Sequence, residues 1–296
     1  MDKSISSQAR SSRVAILLAG LVTVSAVFVM AIPAPVAQYF RYFSIVDPSG
    51  GGYTQPRGIS NASVIVGAFG SNSHGFVLKN GVFTELIGPG GTYAIPTGIN
   101  ASGEMTGAFG TSSTNPQGFI LSGGTYTTID VPGADVTEPN AINDVGMVVG
   151  QYFDQNSNSG NLQGFLYSGG TFTTLNFPGA VSTGARGINN AGQIVGFYTD
   201  ASGTNHAFIY GAGIYQNLFS STCKSSAALG INNLGSIVGY CNNQAFVYSY
   251  STHKYIFFSD PAGFPLPFGI NDSGRVTGQV SLQDGSIDGF LAVPLH

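Results

Sequence analysis

A ten-residue pattern of apolar and polar positions recurs six times along the chain. It reads GISNASVIVG from Gly58, GINASGEMTG from Gly98, AINDVGMVVG from Ala141, GINNAGQIVG from Gly187, GINNLGSIVG from Gly230 and GINDSGRVTG from Gly269, at spacings of 40, 43, 46, 43 and 39 residues. Every copy ends in Gly, and all but the first carry Asn at the third place and Gly at the sixth. That pairing suits a tight turn between two strands whose backbone visits positive φ. After a polar loop of variable length comes a small residue followed by Phe: Gly75–Phe76, Gly118–Phe119, Gly164–Phe165, Ala207–Phe208, Ala245–Phe246 and Gly289–Phe290. Each Phe heads an apolar run. A short Gly- or Ser-containing turn then leads into an alternating, half-exposed segment that commonly ends in Pro, as at Pro89, Pro132, Pro178 and Pro261. Four short strands in roughly 43 residues is the size of one propeller blade.

The two ends of the chain complete this reading. After Phe290 the chain runs only to His296, so the sixth unit lacks its fourth strand, while Tyr42–Pro48 matches Tyr126–Pro132 in pattern. The early segment is therefore expected to supply the missing strand, closing a ring with few free sheet edges. The expected fold is all-β: a six-bladed β-propeller over residues 38–296, closed by the N-terminal strand pairing with the C-terminal blade.

Composition agrees with an all-β chain. Only 8% of the 296 residues are charged, against about 25% in ordinary domains, and 43 are Gly, so long surface helices have nothing to be built from. A hydrophobic fraction of 43% leaves too much apolar surface for a disordered chain. At the N-terminus, Lys3, Arg10 and Arg13 precede the uncharged stretch Val14–Ala31, and small residues follow at Ala34 and Ala37. Residues 1–37 read as an export signal, either removed or retained as an anchor through residues 14–31; both readings put the remainder outside the cytoplasm, secreted, periplasmic or at the cell surface. From Gln38 the chain carries seven basic and thirteen acidic residues, an imbalance that argues against nucleic acid as a partner.

The repeats resemble the HAF repeats of exported bacterial proteins, in which a His-Ala-Phe triplet follows a GxNxxGxxVG phrase. His206, Ala207 and Phe208 reproduce the triplet, and His74, Gly75 and Phe76 come close; Gln117, Gln163, Gln244 and Asp288 replace the His elsewhere. The resemblance spans about 250 residues and implies an extracytoplasmic repeat protein without an assigned activity.

Candidate chemistry follows from the ring. The stretch before each repeated phrase should be the innermost strand and should line a central channel. Just before the phrase stand Arg57, Thr97, Asn140, Arg186, Leu229 and Phe268, and two residues earlier Gln55, Ile95, Glu138, Gly184, Ala227 and Leu266. Arg57 and Arg186 fall in units one and four, opposite each other, where paired guanidiniums suit an anionic ligand such as a carboxylate or acidic sugar. The competing reading packs each Arg against blade edges. Arg57, Glu138, Asn140 and Arg186 are the candidate ligand-binding residues. No catalytic residue, metal site or cofactor is expected: Glu138 is the one channel carboxylate, and His74, His206, His253 and His296 lack zinc-ligand spacing. His74 and His206, at equivalent places, read as structural hydrogen-bonding groups. Asp154, Asn156, Asn158 and Gly160 resemble a calcium loop without its closing Glu and read as a solvent-facing loop. Cys223 and Cys241 flank the first two strands of unit five; a hairpin-spanning disulfide is preferred over two separate buried thiols.

The loops joining second to third strands share one face with the connections between blades, and that face is the natural recognition surface. The expected function is an exported, non-catalytic binding or structural module, a monomer, whose partner at the loop face is an extracellular glycan or protein. A membrane would be touched only through an uncleaved N-terminal segment. The alternative is a hydrolase or lyase acting on an extracellular polymer or lactone in the channel.

Overall fold

The computed structural model describes residues 29–30, 39–48, 50, 52–70, 74–110, 116–153, 161–219, 223–250, 252–259 and 263–295. The expected export signal therefore lies outside the described residues, apart from the two-residue strand Val29–Met30. Likewise, the expected solvent-facing loop at residues 154–160 lies outside them.

Six antiparallel sheets form a six-bladed β-propeller. Blade 1 is built from Thr54–Ile59, Ile65–Phe69, His74–Lys79 and Val82–Leu86, in that order from the axis outward. Blades 2 to 5 repeat the plan over residues 93–128, 136–175, 182–217 and 226–258. Blade 6 combines Phe264–Ile270, Val276–Ser281 and Ile287–Pro294 with Phe40–Ile45, which runs antiparallel beside Ile287–Pro294 with Tyr42 opposite Ala292 and Ser44 opposite Phe290. Val29–Met30 pairs outside Phe40–Ile45.

The repeated phrase performs three tasks. Its turn brings the sixth-place Gly to positive φ, for example 73° at Gly192 and 75° at Gly235. Its terminal Gly lies where the second strand crosses the inner one: a Cβ at Gly67, Gly107, Gly150, Gly196, Gly239 or Gly278 would stand 2.0–2.2 Å from an inner-strand carbonyl oxygen. Its Asn ties blades together. The Nδ2 of Asn100, Asn143, Asn189, Asn232 and Asn271 each donates to the backbone oxygen at the same place in the next blade, at 2.9–3.2 Å. The next position repeats the trick, with side-chain oxygens of Asp144, Asn190, Asn233, Asp272 and Asn61 accepting from the preceding blade's backbone N–H at 2.8–2.9 Å.

Both belts are interrupted at one seam, between blades 1 and 2. Ser60 is too short to reach Asn100, and Ala101 offers no acceptor to Asn61. Completing them with Ser60→Asn and Ala101→Asp together is expected to raise stability by about 1–2 kcal/mol, at roughly 1 kcal/mol per bond. A thermal melt checks this; an unchanged or lowered midpoint rejects the seam as a weak point.

Between blades, the third-strand Phe residues form the anchors. Phe76, Phe119, Phe165, Phe208, Phe246 and Phe290 are all 3% exposed or less. Four of the six inner strands contain Pro, at Pro56, Pro96, Pro139 and Pro267, a residue that sheets accept at an edge strand, and the inner strand is the edge facing the axis. Cys223 and Cys241 are joined in a disulfide with Cα atoms 5.4 Å apart, closing an 18-residue loop worth about 3 kcal/mol in the chain-entropy model.

Candidate functional site: the axial cup

The inner strands place one irregularity in every blade at the same spot. The ladder to the second strand shifts register between Pro56 and Gly58, Pro96 and Gly98, Pro139 and Ala141, Ala185 and Gly187, Ala228 and Gly230, and Pro267 and Gly269. The skipped residues are Arg57, Thr97, Asn140, Arg186, Leu229 and Phe268. A bulge leaves its extra residue outside the ladder and re-aims the side chain, here into the channel. All six line one axial cavity of about 970 Å³, together with Gln55, Ile95, Glu138, Ala227 and Leu266 from two positions earlier. Gly184, expected in that set, lies below the wall surface: a Cβ there would meet the Phe197 ring at 2.7 Å and the Gln151 amide oxygen at 2.8 Å.

The channel is a cup. Ile59, Ile99, Ile142, Ile188, Ile231 and Ile270, one from each blade, line both the large cavity and a small polar recess of about 70 Å³ beyond it. They make its floor. Strands such as Thr54–Ile59 descend from the loop face to this floor, so the mouth opens on the face that carries the second-to-third-strand loops.

The walls are unlike one another. Blades 5 and 6 present Ala227, Leu229, Leu266 and Phe268, whereas blades 2 and 3 present Thr97, Glu138, Asn140 and Gln151 beside Ile95. Arg57 and Arg186, in blades 1 and 4, stand at the two boundaries between these halves. Arg57 donates from Nε to the Gln55 side-chain oxygen at 2.7 Å, and Gln55 in turn donates to Gln279 of blade 6. Arg186 donates from Nη1 to Asn140 Oδ1 at 3.2 Å and lies over the Phe197 ring at 5.3 Å, while Asn140 donates to the Ala185 carbonyl at 2.9 Å. Gln151 donates to Glu138 Oε2 at 2.6 Å.

Burial in the ring pulls both guanidiniums below the ordinary arginine value; at Arg57 this is opposed by Tyr53, which hydrogen-bonds it, and then by Glu138, while at Arg186 Glu138 opposes it and Arg57 reinforces it. Both side chains nevertheless remain half-open to the channel, and each stays cationic. Among the described residues, Arg57, Arg186 and Glu138 are the only charged ones lining the cup and give it a net charge of +1, in a chain whose net charge is −4.

The four residues expected at the site are thus brought together, with contacts of their own. The cation–π stacking of Arg186 is the packing role weighed for it, and the Arg186–Asn140–Ala185 chain is a structural one. Reading inner strands alone missed Gln151, Phe197 and Tyr240, which reach the cup from second strands, and the Ile floor. The floor had a signal: the second place of the phrase is Ile in all six copies, two residues on from the channel position. His74 and His206 stay outside the cup. His74 meets Glu85 on the adjoining outer strand at 2.7 Å, and His206 meets Asp200 at 2.8 Å. Hydrogen bonds from Ser202, then His206 and Thr204, hold the Asp200 carboxyl well below the usual carboxylate range. Among the described residues, no three His, Cys, Asp or Glu side chains are grouped as metal ligands would be.

Solved structures share the architecture. A gluconolactonase from Xanthomonas campestris superposes with a TM-score of 0.53 at 10% identity, over 95% of this chain and 100% of that one. This is a fold-level likeness. A lectin from Aleuria aurantia in complex with alpha-methyl-L-fucoside gives 0.50 at 10% identity over 80% and 90%, and a catalytically inactive virginiamycin B lyase from Staphylococcus aureus with quinupristin gives 0.50 at 12% over 95% and 99%. No family model and no curated protein matches the chain. The propeller is common to all three structures, and binding proteins and enzymes both use it.

Proposed function

We propose that this chain is an exported, non-catalytic binding module of the HAF-repeat type that takes a glycan through the cup's mouth on the loop face. The observation that carries the reading is the cup itself: an axial cavity narrowed at its far end by six Ile side chains, with one apolar and one polar wall, which suits a sugar ring's unlike faces. Among the described residues lining the cup, Glu138 is the single carboxylate, whereas glycoside hydrolysis ordinarily uses two. Export accords with the Cys223–Cys241 disulfide, a bond of oxidising compartments, and no helix of the described residues is long and apolar enough to cross a membrane.

A glycan array followed by product analysis of every hit tests this. The expected result is retention of intact glycan, with binding weakened by Phe268→Ala, which removes part of the apolar wall. Release of cleaved product, lost in Glu138→Gln, overturns the reading in favour of a hydrolase or lyase.

A further inference from the structure

Resting on that binding-module reading, we propose that the cup selects acidic glycans, seating a uronic-acid carboxylate at the Arg186 guanidinium, with Arg57 adding its charge to the field from the opposite blade. Three observations converge. The first is field: the cup is net cationic inside an acidic protein, and a concave wall of low polarisability concentrates that potential on an entering anion. The second is donor supply. Asn140 accepts one of the five guanidinium N–H groups of Arg186, the Nε–H is enclosed without an acceptor, and among the described residues no protein acceptor takes the three that remain on Nη1 and Nη2. Stacking on Phe197 and the bond to Asn140 hold the guanidinium plane, so little ordering cost attaches to docking a carboxylate against it.

The third is the order of the walls. The two arginines sit at the boundaries between the apolar half and the polar half. A uronic acid has the same partition: a C–H face, a rim of hydroxyls, and a carboxylate between them. Placed in the cup, its C–H face meets Leu229 and Phe268, its hydroxyls meet Asn140 and the acceptor Glu138, and its carboxylate lies at a guanidinium. A neutral sugar satisfies the walls but leaves the Nη donors of Arg186 facing water. A phosphate or sulfate satisfies the arginines but leaves the apolar half uncovered.

The test is titration calorimetry with trigalacturonate and its neutral methyl ester at low and high salt. The acid is expected to bind about tenfold or more tightly than the ester at low salt, as a charge-assisted hydrogen bond permits, with the margin shrinking as salt rises. Arg186→Gln should remove most of that margin, bringing the acid's affinity down to within about twofold of the ester's for the same variant. Leu229→Glu, which cancels the cup's net charge from the apolar wall, should also erase the margin and serves if Arg186→Gln does not fold. Equal or tighter binding of the ester overturns the acidic preference and leaves the binding-module reading intact. Binding of neither ligand, with neutral glycans captured on the array, does the same; binding of no glycan at all overturns both.

Discussion

Gly196→Ala is expected to destabilise the protein by at least about 3 kcal/mol, whereas Gly211→Ala changes stability by less than about 0.5 kcal/mol. The two substitutions add the same methyl group. At Gly196 it would sit 2.0 Å from the Gly184 carbonyl oxygen, 3.0 Å from its carbon and 3.1 Å from the Ala185 Cα, all backbone atoms that cannot swing aside. Relief requires moving the inner strand Ser182–Ile188 away from Ile194–Thr199, and that inner strand carries Arg186. At Gly211 the nearest atom is the Gln193 Cγ at 3.7 Å, an ordinary contact with a flexible side chain. For a domain of this size 3 kcal/mol is a fall in melting midpoint of roughly 6 °C. Paired thermal melts decide it. Equal midpoints for the two variants would mean that the second strand does not crowd the bulge, and the account of the terminal Gly in every repeat would fail with it. The Gly196→Ala protein should also lose glycan affinity out of proportion to any unfolding, because the same displacement moves the Arg186 guanidinium off Phe197.

The repeats were legible because a propeller makes the same demand six times. A terminal Gly, a turn Gly and a buried Phe recur where each blade needs them, so their periodicity reports the architecture before any strand is assigned. The candidate arginines were legible for a related reason: on an inner strand the period of two places Arg57 and Arg186 toward the axis, and the bulge strengthens that placement. Other parts of the site were not. The third-place Asn reads locally as a turn residue, and it does cap its own turn, as Asn232 does by accepting from the Leu234 and Ser236 amides. Its second role, donating across to the next blade, depends on how closely the sheets approach, and no local pattern encodes that distance. Gln151 and Phe197 belong to second strands, and they reach the cup where Gly184 of the inner strand has no side chain to cover them, a gap visible only once the strands are packed. The charge balance of the cup was also hidden, since the overall acidity of the chain points the other way.

Removing residues 1–45 is expected to leave a chain that does not fold, and moving the same strand to the other end of the molecule is expected to restore folding. Phe40–Ile45 is the outer strand of blade 6, and its side chains do more than complete a ladder. Phe40 and Tyr42 are 7% and 3% exposed, pack with Phe258 of blade 5 at ring-centroid distances of 5.7 and 6.4 Å, and Tyr42 lies 6.0 Å from Phe290. These rings join Val238, Ala245, Ile270, Val276 and Ala292 in a cluster that spans two blades. Deleting one buried aromatic side chain costs about 3–5 kcal/mol, so losing both costs about 6–10 kcal/mol, comparable with the roughly 5–15 kcal/mol that stabilises an ordinary domain, before the lost ladder of hydrogen bonds is counted. The rescue follows from geometry. Phe40 lies opposite Pro294, and the Leu295 amide donates to the Tyr39 carbonyl at 2.9 Å, so two linker residues such as Asn-Gly can join Leu295 to Tyr39 as a tight hairpin. A permutant beginning at Gly52 and ending, through that linker, at Pro48 drops the short Val29–Met30 strand but keeps four strands in every blade, with the strand order of an ordinary blade in the sixth. Circular dichroism melts should show a cooperative transition for the permutant within a few degrees of the parent and none for the truncated chain. A truncated chain that melts like the parent would mean that blade 6 stands on three strands, and that the contacts of Phe40 and Tyr42 contribute little to holding the ring together.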